Sequence, residues 1–191
     1  MKNLSLIGLA VVALFACACS TSNSLHEHTH FSQADSLTDA YLVLSDTVLH
    51  SWNRVIGNEV DKSRTLQEFI DDLDNAQLLS AELRESFDVR IDQLEKIRFT
   101  QESIDDKQIV EDYDLAFQSI IDDLAKFANT PGSPDPQAMF KYLQENSLVN
   151  RQAYDSLARN FNEFLQKNKA ALKDIEMGQE LDEKPLFVKI K

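Results

Sequence analysis

Apolar residues recur at spacings of three and four along most of this chain, and that period limits its fold more than any other feature. Leu37, Tyr41, Leu44, Val48, Trp52 and Val55 form a first series. Such spacing stacks side chains on one face of an α-helix, whereas a strand would need alternation by two. Asp35 or Ser36 is suited to cap the start, and Gly57 followed by Asn58 predicts the end. A second series runs Leu66, Phe69, Leu73, Ala76, Ser80, Leu83, Phe87, Ile91, Leu94 and Ile97, with Ser63 or Thr65 as its cap. Unbroken, it predicts a helix roughly 50 Å long at 1.5 Å per residue. The third series is Ile109, Tyr113, Phe117 (or Ala116), Ile120, Leu124 and Phe127. Glu102, Asp105 and Asp106 precede it, where the helix dipole favours negative charge.

Residues 129–136, "NTPGSPDP", break the pattern. Proline lacks the amide hydrogen that a helix interior uses, so a helix cannot run through this stretch. Asp135 and Pro136 then make a cap and first-turn pair for a fourth helix. Its stripe is Phe140, Leu143, Tyr154, Leu157, Phe161, Phe164 and Leu172. Residues 145–147, "ENS", are polar where the stripe should be apolar, which predicts a bend or shallower burial. Gly178 closes the helical region. Residues 182–191 contain Pro185 and β-branched side chains, and predict an extended strip laid on the bundle. Only four Gly and four Pro occur in 191 residues, few for a turn-rich β fold. The expectation is all-α: one domain at 34–191, an antiparallel bundle of about four long helices with a short extended tail.

The first twenty residues have a different character. Lys2 precedes an apolar run at 4–16, interrupted only by Ser5. A membrane span needs about 20 apolar residues, so the run is too short to cross and reads instead as a secretory signal peptide, residues 1–16. The two cysteines of the chain, Cys17 and Cys19, close it. A bacterial lipoprotein signal ends with Leu or a similar residue three places before a cysteine and small residues between. Leu14 and Ala16 place Cys17 in such a lipobox, although Phe15 is bulky; Cys19 is the alternative, with Ala18 before it. The thiol is needed because the lipid attaches through a thioether, and two or more acyl chains such as palmitate then hold the protein on a membrane. A disulfide between the two would close a strained ring. Neither candidate is followed by Asp, the residue that retains many Gram-negative lipoproteins at the inner membrane. The expected location is therefore the cell envelope, lipid-anchored to the outer membrane and facing the periplasm.

Residues 17–33 follow as a lipidated N-terminus and flexible tether without helical period. For about 16 flexible residues the end-to-end distance is roughly 20–24 Å. Net charge is −13, and losing Lys2 with the signal makes the remainder one unit more negative. Nucleic-acid phosphates would be repelled by it, and anionic lipid would gain no grip beyond the acyl chains.

Few residues suggest chemistry. His26, His28 and His30 alternate in the tether, and on an extended chain all three rings project to one side. Imidazole is a common transition-metal ligand, so they are the metal-site candidates. A tether offers nothing to orient the rings, and the plain alternative is a polar linker. Asp46 and His50 form an i, i+4 pair that reads as a surface contact. Asp71 with Asp72, Asp105 with Asp106, and Asp122 with Asp123 are adjacent, so each pair points about 100° apart on a helix and forms no acid/base couple. Gly8, Gly57, Gly132 and Gly178 are isolated, which leaves no phosphate loop. No catalytic set and no cofactor follow.

Two segments resemble the LemA family of bacterial envelope proteins. In residues 48–73, Val48, Ser51, Trp52, Val55, Lys62, Arg64, Leu66 and Phe69 match the family's small-residue–Trp–aliphatic run, its basic patch and its leucine-rich helix. In residues 150–172 and the tail, Arg151, Tyr154 with Asp155, Phe161 with Asn162, and Phe187 match an arginine, two Tyr-Asn pairs and an aromatic tail. Asp155 replaces the first Asn and Phe161 the second Tyr; the Pro-Asn and Phe-Pro pairs usual in the family are missing. The resemblance implies a long antiparallel bundle anchored in the envelope and brings no catalytic residue with it. The functional expectation is a non-enzymatic, lipid-anchored interaction or assembly protein with a protein partner. The alternative is a metal-binding or envelope-stress lipoprotein using the His-rich tether, and an enzyme built from scattered acids is a third class.

Overall fold

A computed structural model describes residues 32–128, 130–133, 136–175 and 181–187. Within them the apolar series fold into four α-helices: α1 Gln33–Asn75, α2 Ala81–Lys96, α3 Lys107–Leu124 and α4 Pro136–Asp174. A single 3-10 turn, Ala125–Phe127, extends α3. No strand occurs among the described residues, so the body is the expected all-α bundle. Residues 1–31 lie outside the described residues, and with them Cys17, Cys19, His26, His28, His30 and the signal and tether boundaries.

Side-chain pairs give the topology. Tyr41 packs on Phe161 with ring centroids 5.6 Å apart, Trp52 on Tyr154 at 5.5 Å, and Phe69 on Phe140 at 5.7 Å. Rising numbers on α1 meet falling numbers on α4, so the two long helices are antiparallel. α2 runs back along α1, since Arg84 reaches Asp71 at 2.6 Å and Gln67 donates to Asp88 at 3.0 Å. α3 reverses again: Arg90 binds Asp123 at 2.6 Å and Ser119 at 2.9 Å. The helices are very unequal, with 43 and 39 residues in α1 and α4 but 16 and 18 in α2 and α3. Four helices therefore surround the section holding Glu59 and Phe69. Around Tyr41 and Phe161 the body narrows to α1 and α4, and there residues 181–187 lie along α4.

Two boundaries differ from the sequence expectation. α1 runs straight through Gly57 and Asn58. Glycine inside a helix costs roughly 0.5–1 kcal/mol. Yet Val55, Glu59, Lys62 and Leu66 on either side are all at most 2% exposed, and burying one continuous stripe outweighs that cost. The break comes instead within 76–80, inside the expected second helix. Leu78 N–H donates to the Leu73 carbonyl at 3.0 Å and Gln77 N–H to Asp74 at 2.8 Å, with Gln77 at φ 59°. This is a Schellman cap with glutamine where glycine is usual. Leu78 packs against the core beside Leu73, as that motif favours. Ser80 then caps α2 by accepting from Leu83 N–H at 3.2 Å, which corrects the expected cap at Ser63 or Thr65. Ala76, Leu83, Ile97 and Ile109, placed on stripes by their spacing, are exposed. α1 begins at Gln33, so Asp35 sits in its first turn and is not the cap. Asp106 does cap α3, accepting from Gln108 N–H at 2.9 Å; Asp135 lies outside the described residues.

Candidate functional site

The bundle buries a charge cluster. Glu59 and Lys62 lie one turn apart on α1 and are 1% and 2% exposed, with Lys62 Nζ 2.5 Å from Glu59 Oε2. The other carboxylate oxygen, Oε1, accepts from Ser147 Oγ at 2.8 Å and from Arg151 Nη2 at 3.3 Å, both on α4. Arg151 also makes a paired contact with Asp114 of α3 at 2.7 and 2.8 Å. Two cations and two anions thus join α1, α3 and α4. The polar interruption on α4 is explained by this contact. Ser147 is buried, α4 is unbroken through it, and its hydroxyl fills a lone pair that no water could reach.

Aromatic rings surround the cations. Lys62 Nζ sits 4.4 Å from the Phe117 centroid and 5.5 Å from that of Tyr113. Such contacts suit a desolvated ammonium. Burial alone would raise the Glu59 pKa; Lys62 and Arg151 more than offset it and hold the carboxyl below its ordinary range. Burial lowers the Lys62 pKa, opposed by Glu59. Burial first, and Glu59 next, push the Tyr113 hydroxyl up. The Lys62 Nζ is turned onto the Glu59 carboxylate as one half of a buried ion pair. A cleft of about 230 Å³ opens beside it between α3 and α4, with Phe117, Gln144 and Leu148 on its walls. Lys62 and Arg151 on its walls are paired with Glu59 and Asp114.

A second arrangement adjoins the first. Residues 181–187 run antiparallel to α4 and are held mostly by their backbone. Asn162 accepts the Lys184 N–H at 2.7 Å and donates to the Lys184 carbonyl at 2.8 Å. Asp155, 3% exposed, accepts the Phe187 N–H at 2.9 Å. Tyr154 donates to the Pro185 carbonyl at 3.1 Å and accepts from Gln101 at 3.0 Å. Burial first, then the Asp155 charge, outweigh the Gln101 hydrogen bond and push the Tyr154 hydroxyl up to about 12, so it remains a donor at neutral pH. The Phe187 ring stacks on Trp52 at 6.3 Å and meets Phe99 edge-on at 5.3 Å. The Arg151 guanidinium lies over the same two tail and loop rings, 5.3 Å from Phe187 and 4.9 Å from Phe99. Arg151 therefore joins the tail to the buried charges. The expected extended strip on the bundle is present in residues 181–187.

Among the sequence candidates, Trp52 is a core residue at 9% exposure, with Tyr154 and Phe161 fully buried. Asp46 and His50 are both exposed on α1. The adjacent aspartates serve surface contacts: Asp71 binds Arg84, Asp122 accepts from Gln118, and Asp123 binds Arg90 and Lys126. Glu59 and Asp114 were not singled out by the sequence, and Ser147 stood out only as part of the polar interruption on its stripe. Glu59 and Lys62 do fall between Val55 and Leu66 at stripe spacing, a signal hidden by ending the helix at Gly57. Among the described residues no group of three or more His, Cys, Asp or Glu is placed to hold a metal, and no helix is long and apolar enough to cross a membrane. No protein-family model, curated protein or solved structure matches the chain.

Proposed function

We propose that the chain is a LemA-like lipoprotein of the bacterial envelope, acylated at Cys17 and anchored to the outer membrane facing the periplasm. In this reading it works by binding a protein partner and performs no catalysis. One observation supports it most. The two segments that resemble the family lie about a hundred residues apart in sequence, yet their marked residues meet. Trp52 packs on Tyr154 and Phe187, and Arg151 reaches the Glu59–Lys62 pair.

Palmitate labelling and membrane fractionation test the anchor. The wild-type chain is expected to take up label and sediment with membranes, and Cys17→Ser to abolish both. Loss with Cys19→Ser alone moves the acylated residue to Cys19, and loss with neither removes the lipid reading. Affinity capture from solubilised membranes, using the acylated chain as bait, tests the partner; a chain recovered without stoichiometric company would count against it.

A further inference from the structure

Three separate pieces of chain meet at one ring. Phe187 stacks on Trp52 of α1 at 6.3 Å, meets Phe99 edge-on at 5.3 Å, and meets Tyr154 of α4 edge-on at 5.9 Å. Phe99 belongs to residues 97–106, the connection between α2 and α3. That connection is anchored inward by Phe99 and Ile104, 2% and 1% exposed. Around Phe99 stand Trp52 at 6.3 Å, Tyr113 at 5.2 Å, the Arg151 guanidinium at 4.9 Å, and Phe187. Phe187 is the one member of this set that no helix holds. A single hydroxyl makes a second tie. Tyr154 donates its one proton to the Pro185 carbonyl and takes a hydrogen bond from Gln101 of the connection. A hydroxyl that donates becomes a better acceptor, so each of the two bonds strengthens the other. Residues 184–187 and the connection therefore share both a ring contact and a hydroxyl.

We propose that residues 184–187 are a latch on the α2–α3 connection. While seated, they hold Phe99 against Trp52 and keep Gln101 in place through Tyr154. When they leave, residues 97–106 loosen with them, and the Arg151 guanidinium loses both rings that cover it. Water then reaches the Arg151 contact to Glu59. The latch is the part placed to open first. It is a short extended segment with no helix or sheet ladder of its own, held to α4 through Asn162, Asp155 and Tyr154. Such segments open at the lowest free-energy cost, whereas the connection is tied to a helix at each end. The coupling runs both ways: whatever loosens residues 97–106 loosens the latch by the same factor.

Hydrogen exchange read by peptide mass spectrometry tests this on the full chain in mild detergent. Asn162→Ala is the main variant. The Asn162 amide bonds Lys184 on both sides, and neither bond goes to residues 97–106, so a change there passes through the latch. Exchange in residues 97–106 is expected to quicken about fivefold, roughly the equilibrium worth of one hydrogen bond. Residues 76–80 and the first turns of α2 should keep the wild-type rate. In return Gln101→Ala, at a half-buried position, should quicken exchange of residues 184–187 by about the same factor. Wild-type exchange of residues 97–106 in Asn162→Ala would overturn the latch. So would equal acceleration of every helix, which would make residues 184–187 a general brace for the bundle. Should Asn162→Ala lose its thermal transition, Gln101→Ala decides alone: faster exchange at residues 184–187 supports the latch, and the wild-type rate overturns it. The latch needs neither lipid nor partner, and palmitate labelling and membrane fractionation do not read it, so the anchor and the latch stand or fall separately.

Discussion

Removing Glu59 should cost more than removing Lys62, although the two form one ion pair. Glu59 holds three partners: Lys62, Ser147 and Arg151. Lys62 has one short anionic contact and two aromatic faces. Breaking a buried pair by deleting one member costs about 3–5 kcal/mol, because the other charge is stranded. Glu59→Leu strands Lys62 at 2% exposure beside Arg151, so the upper part of that range applies, about 4–5 kcal/mol. Lys62→Met leaves Glu59 paired with Arg151 and Ser147, and lays a flexible thioether on Phe117 and Tyr113, so about 2 kcal/mol is expected. The double variant removes both charges and leaves the Ser147 hydroxyl as the main unpaired group, at about 1–3 kcal/mol. The coupling between the two positions is then about 3–6 kcal/mol, well above the few tenths seen for independent sites. Urea unfolding of residues 33–191, followed by circular dichroism with fitted m-values, measures all four corners of the cycle. Additive singles of less than 1 kcal/mol each would refute the argument, by showing that water reaches the pair.

The Schellman cap offers a gain of stability. Gln77→Gly relieves a left-handed backbone at φ 59° and should add about 0.5–1 kcal/mol, raising the melting temperature by roughly 1–4 °C; Ala76→Gly, one residue earlier and outside the left-handed region, should give no such gain. Acid should weaken the bundle through Glu59, which Lys62 on α1, Tyr113 and Asp114 on α3, and Arg151 on α4 all face. Its folded pKa lies below the ordinary 4.5, so its contribution is complete above that value and disappears as pH falls through the folded pKa. Between pH 5 and 3 the stability of wild type should therefore fall more steeply than that of Glu59→Gln, by up to about 1.4 kcal/mol per pH unit, and parallel slopes would contradict the assignment.

Much of the architecture was legible because burial repeats with the helix. Val48, Trp52, Leu66, Phe69, Phe117 and Phe161 announce their faces by spacing alone, and all are buried. The α1–α2 break was not legible. Asn75 through Ser80 keep the apolar spacing, and glutamine at the left-handed position carries none of the signal that glycine would. Gly57 misled for the opposite reason: a local preference worth about 1 kcal/mol gave way to the continuous burial around it. The charge cluster was hidden by its own composition. Glu59 and Lys62 at i, i+3 look like an ordinary surface pair, and only Ser147 on α4, a polar residue breaking an apolar stripe, marked the place where they are covered. The tail was foreseen as extended, but Asn162 and Asp155 as its backbone partners depend on two turns of helix matching three residues of strand, a match visible only in three dimensions.

The pairing of α1 with α4 has a consequence for how the chain is made. α2 and α3 can close short hairpins against neighbours in sequence, but Tyr41 waits for Phe161, 120 positions later. At synthesis rates of roughly 5–20 residues per second, that delay is about 6–24 s. Throughout it, one side of a 43-residue amphipathic helix has no partner along its Tyr41 end. Contacts between such distant positions also slow the final assembly, since the long loop must close before they contribute. The stage most exposed to aggregation is therefore the nascent chain that has completed α1, α2 and α3 but not yet α4, and holding factors acting during synthesis would find their target in the uncovered stripe of α1.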